Sequence, residues 1–106
     1  MHSLRFTEDA DETLNRLTVG SKADPAKLKK VNNALARLQA NPRHPGLHSH
    51  QYESFPGHAS EKVWDSYVEN HNPSAWRIYW MYGPDETNAA GETISVITVL
   101  VIGPHP

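Results

Sequence analysis

Apolar residues in the first part of the chain recur at three- and four-residue steps, whereas those in the second part alternate with polar ones. His2 to Phe6 is a short exception at the start: Leu4 and Phe6 share one side, Ser3 and Arg5 the other, which predicts a half-buried strand. Thr7 then offers a helix N-cap. Glu8 and Asp9 fall in the first turn, where acids complement the helix dipole, and Ala10, Leu14 and Leu17 form a stripe that Gly20 ends. Asp24 followed by Pro25 is a second cap, and Leu28, Val31, Leu35 and Leu38 continue at helical spacing until Asn41 and Pro42. The outward side of this helix carries Lys27, Lys29, Lys30 and Arg37 and reads as a solvated face.

Pro42 to Pro56 breaks both periods with prolines and a glycine, predicting a loop and then a short strand around His50 to Phe55. Lys62 to Glu69 and Ala75 to Tyr82 alternate on either side of a turn-forming NHNPS segment. Thr93 to Ile102 is a β-branched run after the polar loop from Gly83 to Glu92. Strand, helix, helix, then three or four strands predicts an α+β domain, with two helices on one face of a twisted, mainly antiparallel sheet. On the strand Ala75 to Tyr82, alternation sends Trp76, Ile78, Trp80 and Tyr82 to one face. Ala75, Arg77, Tyr79 and Met81 go to the other, so an arginine stands on the less apolar side.

Length and composition narrow the function. The chain has 106 residues, which suits a single domain over positions 1–106 and leaves no room for a separate cofactor domain. It has no cysteine, which removes disulfides, thiolate metal sites and cysteine nucleophiles together. The start lacks the basic stretch and apolar run of a secretory signal, so a soluble, cytoplasmic protein with no membrane partner is expected. Net charge is −2, divided unevenly: residues 1–53 carry eight Lys/Arg and six Asp/Glu, and residues 54–106 carry two and six. This balance does not announce nucleic-acid binding. No phosphate-binding glycine loop, dinucleotide fingerprint, G-x-S-x-G elbow or H-E-x-x-H motif is present, which excludes the common cofactor enzymes. His44, His48 and His50 have the spacing H-x3-H-x-H, on which a metal would be bridged, but no acid or cysteine completes a recognised set.

A helix with a basic face, the loop NPRHPGLHSHQYES, the hairpin KVWDSYVENHNPSAWRIYW and the closing strand ISVITVLVIGPHP follow one another in that order. Together they resemble the RelE/ParE superfamily of type II toxin-antitoxin toxins nearly end to end. The most telling pieces are the run Trp76-Arg77-Ile78-Tyr79 and a last strand that delivers a histidine just past its end. The resemblance implies a small β-α-α-β-β-β toxin, neutralised by a cognate antitoxin in a heteromeric complex. In many members such a toxin cleaves mRNA on the ribosome without a metal or other cofactor.

RNA cleavage by its own 2′-hydroxyl needs a base, an acid for the leaving oxygen and cations for the charge that builds on phosphorus. Arg77 matches the family's phosphate-contacting strand arginine; its planar fork grips two oxygens and stays charged. The alternative role is a pair with Asp65 or Glu69 across the hairpin. His105 matches the C-terminal region from which such toxins draw an acid or base, and Lys62 offers a second cation. Tyr79, His50 and Arg43 are candidate substrate contacts, Tyr79 by stacking or its hydroxyl and His50 from the loop beside the cleft. Because Lys62 and Arg77 are the only Lys/Arg after position 53, the alternative is a ParE-like or inactive relative that acts by binding DNA gyrase or its antitoxin.

Overall fold

Capping residues and hydrophobic stripes produce the two expected helices. The computed structural model describes residues 1–53, 55–58, 60–69 and 74–104. Helix α1 spans Glu8–Thr18, with the Thr7 side chain accepting the Ala10 amide, and α2 spans Pro25–Ala40, with Asp24 accepting the Lys27 amide. Before them lies β1, Ser3–Phe6; after them come a 3-10 turn at Pro45–Leu47, β2 at His50–Tyr52, β3 at Val63–Tyr67 and β4 at Arg77–Tyr82. Strands β5, Glu86–Thr87, and β6, Thr93–Ile94, form a small separate ribbon, and β7 runs Val96–Gly103.

The main sheet has five strands in the order β1-β7-β4-β3-β2, parallel only between β1 and β7. The α+β expectation with a mainly antiparallel sheet therefore holds. Three details differ from the periodicity. The apolar run from Thr93 divides at Ser95, and its first two residues pair back with β5 inside what reads as a loop. Strand β4 starts at Arg77 because Glu69 closes the hairpin: its carboxylate accepts the Trp76 amide at 3.1 Å, while the Trp76 carbonyl accepts the Val68 and Glu69 amides. Phe6, expected to be inward, is 38% exposed, since β1 is an edge strand whose inner contact is made by Leu4.

One core lies between helices and sheet: Ala10, Leu17, Val31, Ala34, Leu35 and Leu38 meet Ile78, Trp80, Ile97, Val99 and Ile102. A smaller cluster of Phe55, Val63, Tyr79 and Leu100 packs with Tyr52, Met81 and Val101. The faces are assigned by a β-bulge. Tyr79 pairs with Val101 and Trp80 with Val99, so Leu100 is the extra residue and parity along β7 reverses there. Ile102 consequently rejoins the face of Val99 and Ile97, and Gly103 comes opposite Arg77. No helix among the described residues is long and apolar enough to cross a membrane.

Candidate functional site

Register brings the polar residues of three strands to one end of the sheet, on the face away from the helices. His50 pairs with Asp65, Asp65 with Tyr79, and Tyr67 with Arg77, and the two-residue period points these side chains the same way. The Asp65 side chain is only 2% exposed. A carboxylate so buried needs charged or hydrogen-bonding partners. Arg77 Nη1 donates to both of its oxygens, at 3.2 and 3.3 Å, and His50 Nε2 lies 3.3 Å from Oδ2. The guanidinium also rests on the Tyr67 ring, 3.9 Å from its centroid, a cation–π contact that fixes its plane.

His50 is held at both nitrogens. Nδ1 donates to the His48 carbonyl at 2.9 Å while Nε2 faces the Asp65 carboxylate. A neutral imidazole has one N–H and can serve one of these acceptors; the imidazolium serves both. The His50 side chain is half exposed and that of Arg77 only 19%, so His50 is the cluster's outward group.

Arg77 Nε and the Tyr79 hydroxyl are buried without a hydrogen-bond partner among the described residues. Burial pushes the Tyr79 phenol well above its ordinary pKa, and the nearby Asp65 carboxylate adds to the rise against the opposing pull of Arg77. Tyr67 also lines a separate cleft toward α2 of about 350 Å³, with Lys30, Asn33, Arg37, Gly46, His48 and others. The His48 ring stands 5.2 Å from that of Tyr67, and its backbone takes the left-handed conformation, φ 47° and ψ 42°. A non-glycine residue there is uncommon and costs of order 1 kcal/mol. On the same helix, Lys27 and Lys30 lie 2.7 and 3.4 Å from Glu69. Part of the basic helix face is thus paired with the hairpin rather than simply solvated, and the Lys27 hydrogen bond holds the Glu69 carboxyl below its usual pKa.

Of the residues singled out in the sequence, the structure brings Arg77 and His50 together. The predicted cross-hairpin pair of Arg77 is present, with Asp65 as the acid. His105 lies outside the described residues; what is described is that Gly103 pairs with Arg77 in the ladder, so β7 ends beside the start of β4, while the guanidinium itself reaches the other way, to Asp65 and Tyr67 of β3. Three other candidates are placed differently. Tyr79 is fully buried, with its ring 5.4 Å from Tyr52 and 5.5 Å from Phe55, and offers no face for stacking a base. Lys62 precedes β3 at the end opposite Tyr67, five residue steps or about 17 Å along the strand, so it does not join Arg77. Arg43 lines a pocket with Trp64 and Trp80, on the other face of the sheet.

The loop histidines do not converge on a metal position: no group of three or more His, Cys, Asp or Glu among the described residues could hold one. His44 Nδ1 instead accepts the Gly46 amide, and both His50 nitrogens are engaged. The chain matches no protein-family model and no curated protein. Tyr67 and His48 were not singled out as members of this site. Alternation from Asp65 to Tyr67 is visible in the sequence, but the facing residue on β4 depends on register.

Proposed function

We propose that this chain is a RelE-like toxin of a type II toxin-antitoxin system, acting as a metal-independent endoribonuclease on translated mRNA. The observation that carries this reading is a guanidinium and a half-exposed imidazole gathered on one carboxylate, on a strand whose first residue pairs with the final residue of β7. In this scheme Arg77 faces the scissile phosphate and the half-exposed His50 side chain contacts the substrate strand beside it. His105, two residues beyond Gly103, takes the proton of the 2′-hydroxyl. The new O2′–P bond forms as the P–O5′ bond breaks, leaving a 2′,3′-cyclic phosphate, and the departing oxygen takes a proton from solvent. Lys30 and Arg37 in the adjoining cleft are suited to the next phosphate of the strand. The order strand, helix, helix, strands supports the RelE-like topology. A cytoplasmic location and an antitoxin partner belong to the same proposal.

A second reading has its own support. Asp65 already satisfies Arg77 Nη1, and the strand-rich half of the chain is acidic, as befits a ParE-like or inactive relative that works through protein contacts. Expression of the chain alone, with transcript ends mapped and DNA damage monitored, separates the two. For the nuclease, Arg77→Ala lowers the cleavage rate about 10²–10³-fold, the scale of losing one charge-stabilising donor, and relieves growth arrest. Growth arrest with intact transcripts and induced DNA damage rejects the nuclease and supports the second reading.

A further inference from the structure

A pocket on the helix-bearing face has the chemistry of a nucleotide site. It lies between the segment Pro42 to Ser49 and the ends of β3 and β4, and has a volume of about 310 Å³, at the lower end of small-molecule sites. Its inner wall is aromatic. Trp64 stacks on the buried Trp80 with ring centroids 6.0 Å apart and planes 21° apart, and Tyr82, 47% exposed, stands nearly perpendicular to both.

The outer wall is tied down by a directional chain of hydrogen bonds. Trp80 Nε1 donates to Ser66 Oγ at 2.8 Å, and the Ser49 hydroxyl donates to the Pro42 carbonyl at 2.9 Å. With its own proton thus committed, Ser49 accepts that of Ser66 across their 2.7 Å contact. Every group in this chain is satisfied, so the two walls keep their spacing without a ligand.

Charge decides what such a box holds. Three aromatic rings, two stacked and one across them, also suit a quaternary ammonium, but among the described residues no lining residue is acidic, and Arg43 is exposed. His44, another lining residue, accepts the Gly46 amide at Nδ1 and so carries its proton on Nε2, a second donor. We propose that this pocket binds a nucleotide unit, its base stacked on Trp64 with an edge toward Tyr82 and its phosphate held by Arg43 and His44. Free nucleoside monophosphates and a nucleotide of an RNA strand present the same chemistry. The site is on the opposite face of the sheet from Arg77 and stands whether or not that cluster cleaves RNA.

The test is titration of the purified chain with AMP, UMP, adenosine, a short oligouridylate and tetramethylammonium, followed by tryptophan fluorescence and calorimetry. AMP or UMP binding is expected, about tenfold weaker for Arg43→Gln and about 10–100-fold weaker for Trp64→Leu. Oligouridylate binding more tightly than UMP assigns the strand as source, and no tighter assigns the free nucleotide. Arg43 is an exposed turn residue, so its replacement keeps the test valid even if Trp64→Leu unfolds the protein. Absence of binding at millimolar nucleotide, adenosine binding as tightly as AMP, indifference to Arg43→Gln, or preference for tetramethylammonium overturns the proposal.

Discussion

The two faces of the sheet use their polar groups in opposite ways. On the helix-bearing face, Trp80, Ser66, Ser49 and the Pro42 carbonyl form a chain in which each donor has an acceptor. On the other face, Asp65 gathers Arg77 and His50, yet Arg77 Nε and the Tyr79 hydroxyl are buried without partners among the described residues. A satisfied chain fixes the position of a loop. An under-satisfied cluster holds donors and charge in readiness, at a cost in stability, and that is the more telling sign of a place where something binds.

The largest expected effect comes from breaking the ion pair. Asp65→Asn removes the counter-charge of a largely buried guanidinium and is expected to cost about 3–5 kcal/mol in urea unfolding. Adding Arg77→Met should recover much of that loss, because no isolated charge is then left; a double variant as unstable as the single one breaks the assignment of the pair as the source. Ser66→Ala interrupts the chain on the other face and strands the Trp80 N–H, at about 1–3 kcal/mol. A change below about 0.5 kcal/mol would show that the chain does not hold the loop.

Smaller effects sharpen the contrast at the hairpin end. Because the Glu69 pKa is lowered in the folded state, its stabilising contribution is complete above the ordinary carboxylate range and disappears as pH falls through the lowered value. Lys27→Met should therefore be less stable than the parent by about 1 kcal/mol at pH 7, with the gap closing as pH falls through the lowered value, by urea unfolding at each pH. A gap that persists in acid would point to lost packing of Lys27 on Trp76, whose ring centroid is 4.8 Å from the ammonium. The smallest change is expected from Tyr79→Phe. Its hydroxyl has no partner to lose among the described residues, so stability should fall by no more than about 0.5 kcal/mol; a loss above about 1 kcal/mol would show that the hydroxyl is bonded after all.

Most of the elements were legible because their signals are local. Thr7 and Asp24 cap the helices whose stripes follow them, and the alternation in Trp76 to Tyr82 separates the faces that Trp80 and Tyr79 occupy. Arg77 could be placed on the less apolar face for the same reason, and Asp65 could be named as one of two possible partners. The β5–β6 ribbon was not legible, since two residues per strand carry no periodicity. Neither was the exclusion of Lys62 and Arg43 from the site, because both share its chemistry and differ only in where the strands carry them.

By itself the sequence determined the two helices, the alternating strands, the absence of cysteine chemistry and the presence of an arginine on one sheet face. All of these depend on residues within a few positions of one another. The tertiary structure alone decided that His50, Asp65, Tyr67 and Arg77 meet, that Leu100 is the bulge that puts Gly103 in register with Arg77, and that Arg43 faces a different pocket. Strand pairing has a period of two, so a single-residue shift exchanges the faces, and only the packed sheet fixes which shift is used.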